Sequence, residues 1–151
     1  MTAVEKRVHQ INSTPTQIFR HENLHDAIRH ANVMELHRLI QEGAPINGTD
    51  PKFNFSPVHW AVHYGSIECL HWLLWYNADL HMQSNEGWTP AHIAAIRGRD
   101  LCLQSLAANG VDVKMLDSRG KTPAHLACSH GNTKALQEIL RIGMFFPNLM
   151  V

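Results

Sequence analysis

The string His21-Glu22-Asn23-Leu24-His25 has the spacing of a catalytic zinc site. In H-E-x-x-H, two histidines on one helix face hold the metal and the glutamate acts as general base. That chemistry needs a continuous helix and a third protein ligand. Here the repeat register places His25 at a helix start and His21 ahead of the cap, in a hairpin segment, and no third ligand is evident. His59 and His63 are also four apart, on one helix, and again lack a third ligand. They read as a structural histidine beside an exposed one. Cys69, Cys102 and Cys128 form no CxxC pair, and none has a neighbouring His and carboxylate to activate it. All three read as buried, small apolar residues. With no phosphate loop or dinucleotide fingerprint either, the expectation is no catalysis, no cofactor and no metal.

The elements that position these residues recur. Ser56-Pro57-Val58-His59-Trp60-Ala61, Thr89-Pro90-Ala91-His92-Ile93-Ala94 and Thr122-Pro123-Ala124-His125-Leu126-Ala127 align, with prolines 33 apart both times. Gly65, Gly98 and Gly131 keep the same spacing. A worn copy lies upstream: Leu24-His25-Asp26-Ala27-Ile28, then Leu36, Leu39-Ile40 and Gly43-Ala44-Pro45-Ile46-Asn47. Its His25 is one residue out of phase with His59, which puts an extra residue in the loop from Thr49 to Phe55.

Each slot has a mechanical reason. Thr89 is a helix N-cap, and Pro90 follows at the first helical position, where a missing N–H costs nothing. His92 stands three after the cap, where a capping-box partner reaches back. Ala94 and Ala95 let neighbouring helices come close. Gly98 takes the left-handed conformation that ends the first helix. Leu101, Leu103 and Leu106 give the apolar side of a second, antiparallel helix. Gly110 ends it, and Asn77 fills that slot one copy earlier. Gly87 and Gly120 allow the tight turn into the next copy.

This pattern resembles the ankyrin repeat family over residues 22–143. The resemblance implies an all-α solenoid of helix-turn-helix units with hairpin loops, first helices and hairpin tips lining a concave side. The expected repeats are 22–50, 56–83, 89–116 and 122–143, within a domain spanning 21–143. Residues 1–20 read as a flexible leader and 144–151 as an off-pattern apolar tail. Because a terminal repeat needs a polar cap, the tail suggests either an improvised cap or, as the favoured reading, a truncated or spliced form of a longer array. The C-terminal repeat is expected to be the least stable.

Composition narrows the partners. Hydrophobic residues make up 44% and the net charge is zero, so a core is affordable and no field points to nucleic acid or an anionic membrane. Twelve histidines would turn the surface basic below roughly pH 6.5. The first twenty residues lack a signal-peptide h-region, and no window approaches about eighteen consecutive apolar residues. The expectation is an intracellular monomer, in cytoplasm or nucleus, off the membrane. In the leader, Lys6-Arg7-Val8-His9-Gln10 approximates a phosphatase-docking motif with Gln10 in place of the aromatic. A regulatory or targeting subunit of a protein phosphatase is thus the alternative to a scaffold that binds a protein.

By the same resemblance, binding uses the hairpin tips and the two residues before each helix-ending glycine. These are Arg29 and His30 in the first copy, then Phe53, Phe55, His63 and Tyr64 in the second. The third offers Asn85, Glu86, Trp88, Ile96 and Arg97. The fourth offers Ser118, Arg119, Lys121, Ser129 and His130. Aromatics and Arg are the usual interface anchors, and the lean toward positive charge predicts a protein partner with an acidic segment. Phe53 and Phe55 either face that partner or pack the irregular loop; Trp88 faces it or lies on the neighbouring hairpin. Trp60 and Trp72 fall at inward slots and Trp75 on the convex face.

Overall fold

The computed structural model of the chain describes residues 23–145. Among them lie eight helices and no strand. They are α1 (Leu24–Arg29), α2 (Val33–Gln41), α3 (Pro57–Tyr64), α4 (Ile67–Trp75), α5 (Pro90–Arg97), α6 (Asp100–Ala108), α7 (Pro123–Ser129) and α8 (Thr133–Phe145). The odd-numbered helices stack on one another in one layer, and the even-numbered helices stack in a second. Each repeat contributes one of each. The core runs between the layers as a ladder: Leu36 and Leu39, then Leu70 and Leu73, Leu103 and Leu106, and Ile139 with Ile142, all buried.

The capping chemistry read from the sequence is present three times. Ser56, Thr89 and Thr122 each accept from the backbone N–H three residues on, and His59, His92 and His125 each return a ring nitrogen to the cap residue's own N–H. Proline stands at the first helical position each time. Gly65, Gly98 and Gly131 have φ of 69°, 70° and 68°. In the first repeat Ala31 occupies that slot at φ 52°.

The worn repeat differs from its sequence reading in one respect. α1 is capped by Asn23, 33 residues before Ser56, so Asp26 rather than His25 stands in the capping-box slot of His59. The extra residue does lie in the loop. Asp50 N–H bonds Phe55 carbonyl across five residues, whereas Ser84 to Trp88 and Asp117 to Lys121 span four. The stretch from cap to left-handed residue offsets it, Asn23 to Ala31 being one residue shorter than Ser56 to Gly65. The Asp50 carboxylate organises the longer turn by accepting from the N–H of Lys52, Phe53 and Phe55 at 3.0, 2.8 and 2.7 Å.

Two other expectations are corrected, those for Leu101 and Cys128. Leu101 is 57% exposed, because the inward side of α6 is set by Cys102, Leu103 and Leu106, and Leu101 precedes it by about 100° of turn. Trp72 is half-buried and packs against the core, with its ring tilted against His37. Cys128 is exposed, although Val62 and Ala95 in the same slot are covered by the following repeat. α8 runs on past Gly143, through Met144 to Phe145. Cys69 and Cys102 are buried as expected, and Trp75 is 78% exposed.

Candidate partner-binding surface

Successive hairpins are tied to one another at their tips. Asn85 N–H donates to the Phe53 carbonyl and Ser118 N–H to that of Glu86, both at 3.0 Å. Below each tip a buried histidine fixes the height of the next one. His59 accepts at Nδ1 from the Ser56 N–H, so Nε2 carries the proton, and it donates to the Trp88 carbonyl at 2.7 Å. His92 does the same with the Thr89 N–H and the Lys121 carbonyl, at 2.9 Å. Burial pushes both rings below the ordinary histidine range.

Where the second repeat meets the first, the surface is aromatic. His25 stacks on Trp60 at 4.1 Å between ring centroids and shares a 3.0 Å hydrogen bond with the Tyr64 hydroxyl. His63 stands edge-on to both Trp60 and Tyr64. Burial lowers the pKa of His63, and the charges of Arg97 and Arg99 lower it further. Phe55 is a correction. It is only 8% exposed, stacked on His59 and edge-on to Trp60, because the longer loop folds its ring inward. Phe53 remains at the rim, 41% exposed, with the Lys52 ammonium 5.1 Å from its ring.

Between the third and fourth repeats the hairpin side opens into a groove of about 510 Å³. Seven of the residues singled out by sequence line it together: Glu86, Trp88, Ile96, Arg119, Lys121, Ser129 and His130. Asp117 and Leu126, which the sequence reading missed, join them. Trp88 lies on the neighbouring hairpin and also lines the groove. Its indole N–H donates to Asp117 Oδ2 on the neighbouring hairpin at 3.2 Å, while its half-buried ring lines the groove. Asp117 Oδ1 accepts from the N–H of Arg119 and Lys121 at 2.9 and 2.8 Å. Burial alone would raise that carboxyl's pKa, but these donors outweigh it and hold the group below its usual range.

The remaining sequence-derived positions sit outside the groove. Arg97 is exposed at the end of α5; Arg29 and His30 are exposed at the end of α1. The Asn85 amide is occupied by the Lys52 carbonyl at 3.0 Å. Two positions the sequence did not suggest anchor the helix ends that carry the strip. Arg99 donates to the His63 carbonyl at 3.0 Å, and Asn132 to those of Ala95 and Ile96 at 2.7 and 2.9 Å. They differ in residue type, so no repeat signature reveals them.

His21 and Glu22 of the zinc-like string lie outside the described residues, as do the leader and residues 146–151. Among the described residues no group of three or more His, Cys, Asp or Glu is placed to hold a metal ion. No helix there is long and apolar enough to cross a membrane.

Fold and surface together define a solenoid of stacked helix pairs that displays its hairpins along one side. A family model described as ankyrin repeats in three copies matches residues 24–114 and again residues 58–148. The chain belongs to the ankyrin repeat family. Repeats of this family are in general protein–protein interaction modules and typically not enzymes.

Proposed function

We propose that the chain is a scaffold that binds a protein partner along its hairpin side, with Tyr64, Trp88 and Arg97 at the centre of the contact. One observation carries this reading. Arg119 and Lys121 line the same groove as the half-buried Trp88, Ile96 and Leu126, Arg97 is exposed at the end of α5, and none of the three cations forms an ion pair among the described residues. Cations left without an internal partner next to apolar surface favour a partner that supplies carboxylates. The reading takes the protein to be an intracellular monomer. Within the family, the stretches 65–75 and 87–98 are similar to ankyrin repeat domain-containing protein 42, a likeness that names no partner.

The test is alanine substitution of Tyr64, Trp88 and Arg97, with capture of partners from lysate followed by calorimetry. Truncating a central anchor should cost on the order of 2 kcal/mol of affinity. Full retention by all three variants removes the hairpin side as the binding surface. The alternative, a phosphatase subunit docking through Lys6 to Gln10, rests on sequence alone; deleting residues 1–12 abolishes binding only under that alternative.

A further inference from the structure

Resting on that reading, we propose that the groove between the third and fourth repeats is the primary subsite, and that its occupant is a short peptide segment combining a branched aliphatic side chain with flanking carboxylates. The floor is apolar: Trp88, Ile96 and Leu126 are each half-buried and line the same space. A volume of about 510 Å³ is within the usual range for pockets that bury a compact ligand. The Trp88 N–H is already used by Asp117, so the floor asks for no hydrogen bond and rewards an aliphatic group.

The walls set the charge. Arg119 and Lys121 are exposed on one hairpin, and neither side chain has an ion-pair partner among the described residues. Two carboxylates lie nearby. Asp117 is held by two backbone N–H groups and the indole, which stabilise its ionised form and occupy its oxygens. Asp117 is buried, so the exposed charges of the groove are the two cations on one hairpin and the Glu86 carboxylate on the opposite hairpin, which gives the groove a polarity. His130 lines the same groove. Its Nδ1–H is taken by the Leu126 carbonyl at 2.8 Å, which leaves Nε2 for the occupant. Carboxylates of the bound segment therefore lie toward Arg119 and Lys121, and its aliphatic side chain lies on Trp88. A nucleic acid would also seek the cations, but the aliphatic floor offers its bases only one aromatic ring to stack on.

The probe is a short synthetic peptide carrying a central leucine flanked by aspartates, with binding to the full chain read by fluorescence anisotropy. Two companion peptides replace the aspartates by asparagine or the leucine by serine. Each companion should bind at least about tenfold more weakly, as should the parent peptide to Lys121→Glu or Arg119→Glu. Both charge variants lie at exposed positions, and a helical circular dichroism spectrum matching wild type confirms their fold. Equal binding of the asparagine peptide overturns the charge assignment, and equal binding of the serine peptide overturns the floor. A single-stranded oligonucleotide that binds as tightly as the parent peptide overturns the choice of occupant. If the parent peptide does not bind while a captured partner still depends on Tyr64 and Arg97, this subsite is wrong and the broader surface stands. If capture also survives all three alanine variants, both readings fall.

Discussion

His92 donates from Nε2 to the carbonyl of Lys121, 2.9 Å away in the next repeat, while its Nδ1 accepts from the Thr89 N–H. One buried ring thus closes a helix cap and sets the height of a hairpin that lines the groove. His125 closes the corresponding cap in the fourth repeat but is exposed, and its Nε2 reaches no hairpin carbonyl among the described residues. His92→Leu leaves the buried Thr89 N–H unpaired and removes one of the two hydrogen bonds to the Lys121 carbonyl, which costs about 3 kcal/mol. His125→Leu loses a solvent-exposed cap contact and costs about 1 kcal/mol. Urea unfolding midpoints measure both, and equal losses would show that the inter-repeat bond contributes nothing. The same absence makes the fourth repeat the first to open, and amide exchange slowest in residues 122–140 would contradict that.

Acid should weaken the stack through the same rings. Burial lowers the pKa of His59 and His92 in the folded state, so the unfolded chain binds their protons more readily. Their contribution is fully present above the ordinary histidine value of about 6.5. It is lost as pH falls from there through the lowered folded values. A second loss follows only below about pH 4, where the unfolded chain protonates Asp50 and Asp117, held low by backbone N–H donors. Urea titrations at pH 7.5 and 5 should therefore show lower stability at pH 5, and the drop should shrink in a His59→Gln, His92→Gln double variant. A drop of the same size in both proteins would assign it elsewhere.

The repeat was legible because its determinants are local. Thr89, Pro90, His92 and Gly98 each act within one helix, so spacing alone places them. Two kinds of feature escaped. The capping phase of the first repeat was obscured because Asn23 caps in place of serine or threonine and Asp26 stands where the other repeats have histidine, while His25 suggests a register one residue off. The groove floor depends on Asp117 and Leu126 meeting Trp88 across two repeats, a contact that no single-repeat pattern encodes. Burial at the last repeat was misjudged for Cys128 because periodicity assumes a following neighbour.

Gly87 tests how tightly the hairpins approach. It has φ of 76°, and a Cβ there would lie 2.5 Å from the backbone nitrogen of Ser118, the group that bonds Glu86. Gly110 has φ of 81° and nothing within 4 Å of such a Cβ. Gly110→Ala therefore pays only the left-handed backbone cost of about 1 kcal/mol. Gly87→Ala pays that and displaces a backbone segment, for more than about 2 kcal/mol. It should also weaken any partner held in the groove, since the hairpins on both sides must shift. Thermal unfolding ranks the two; similar losses would mean the tips are loosely joined.

Thiol chemistry reports the packing of the repeats one at a time. Cys69 and Cys102 are buried on α4 and α6, and burial pushes their thiols up, that of Cys102 to about 11. Few thiolates form there at neutral pH, and reagent cannot reach them. Cys128 lies exposed on α7. A chromogenic disulfide reagent at pH 8 should therefore titrate one thiol rapidly, with the other two reacting only as the stack opens. Cys128→Ser should abolish the fast phase and leave the slow ones, whose rates then measure opening of the second and third repeats. Adding low urea should speed the slow phases while barely changing the fast one. Three thiols reacting at one common rate would mean that the helix layers do not exclude solvent as the structure has them doing.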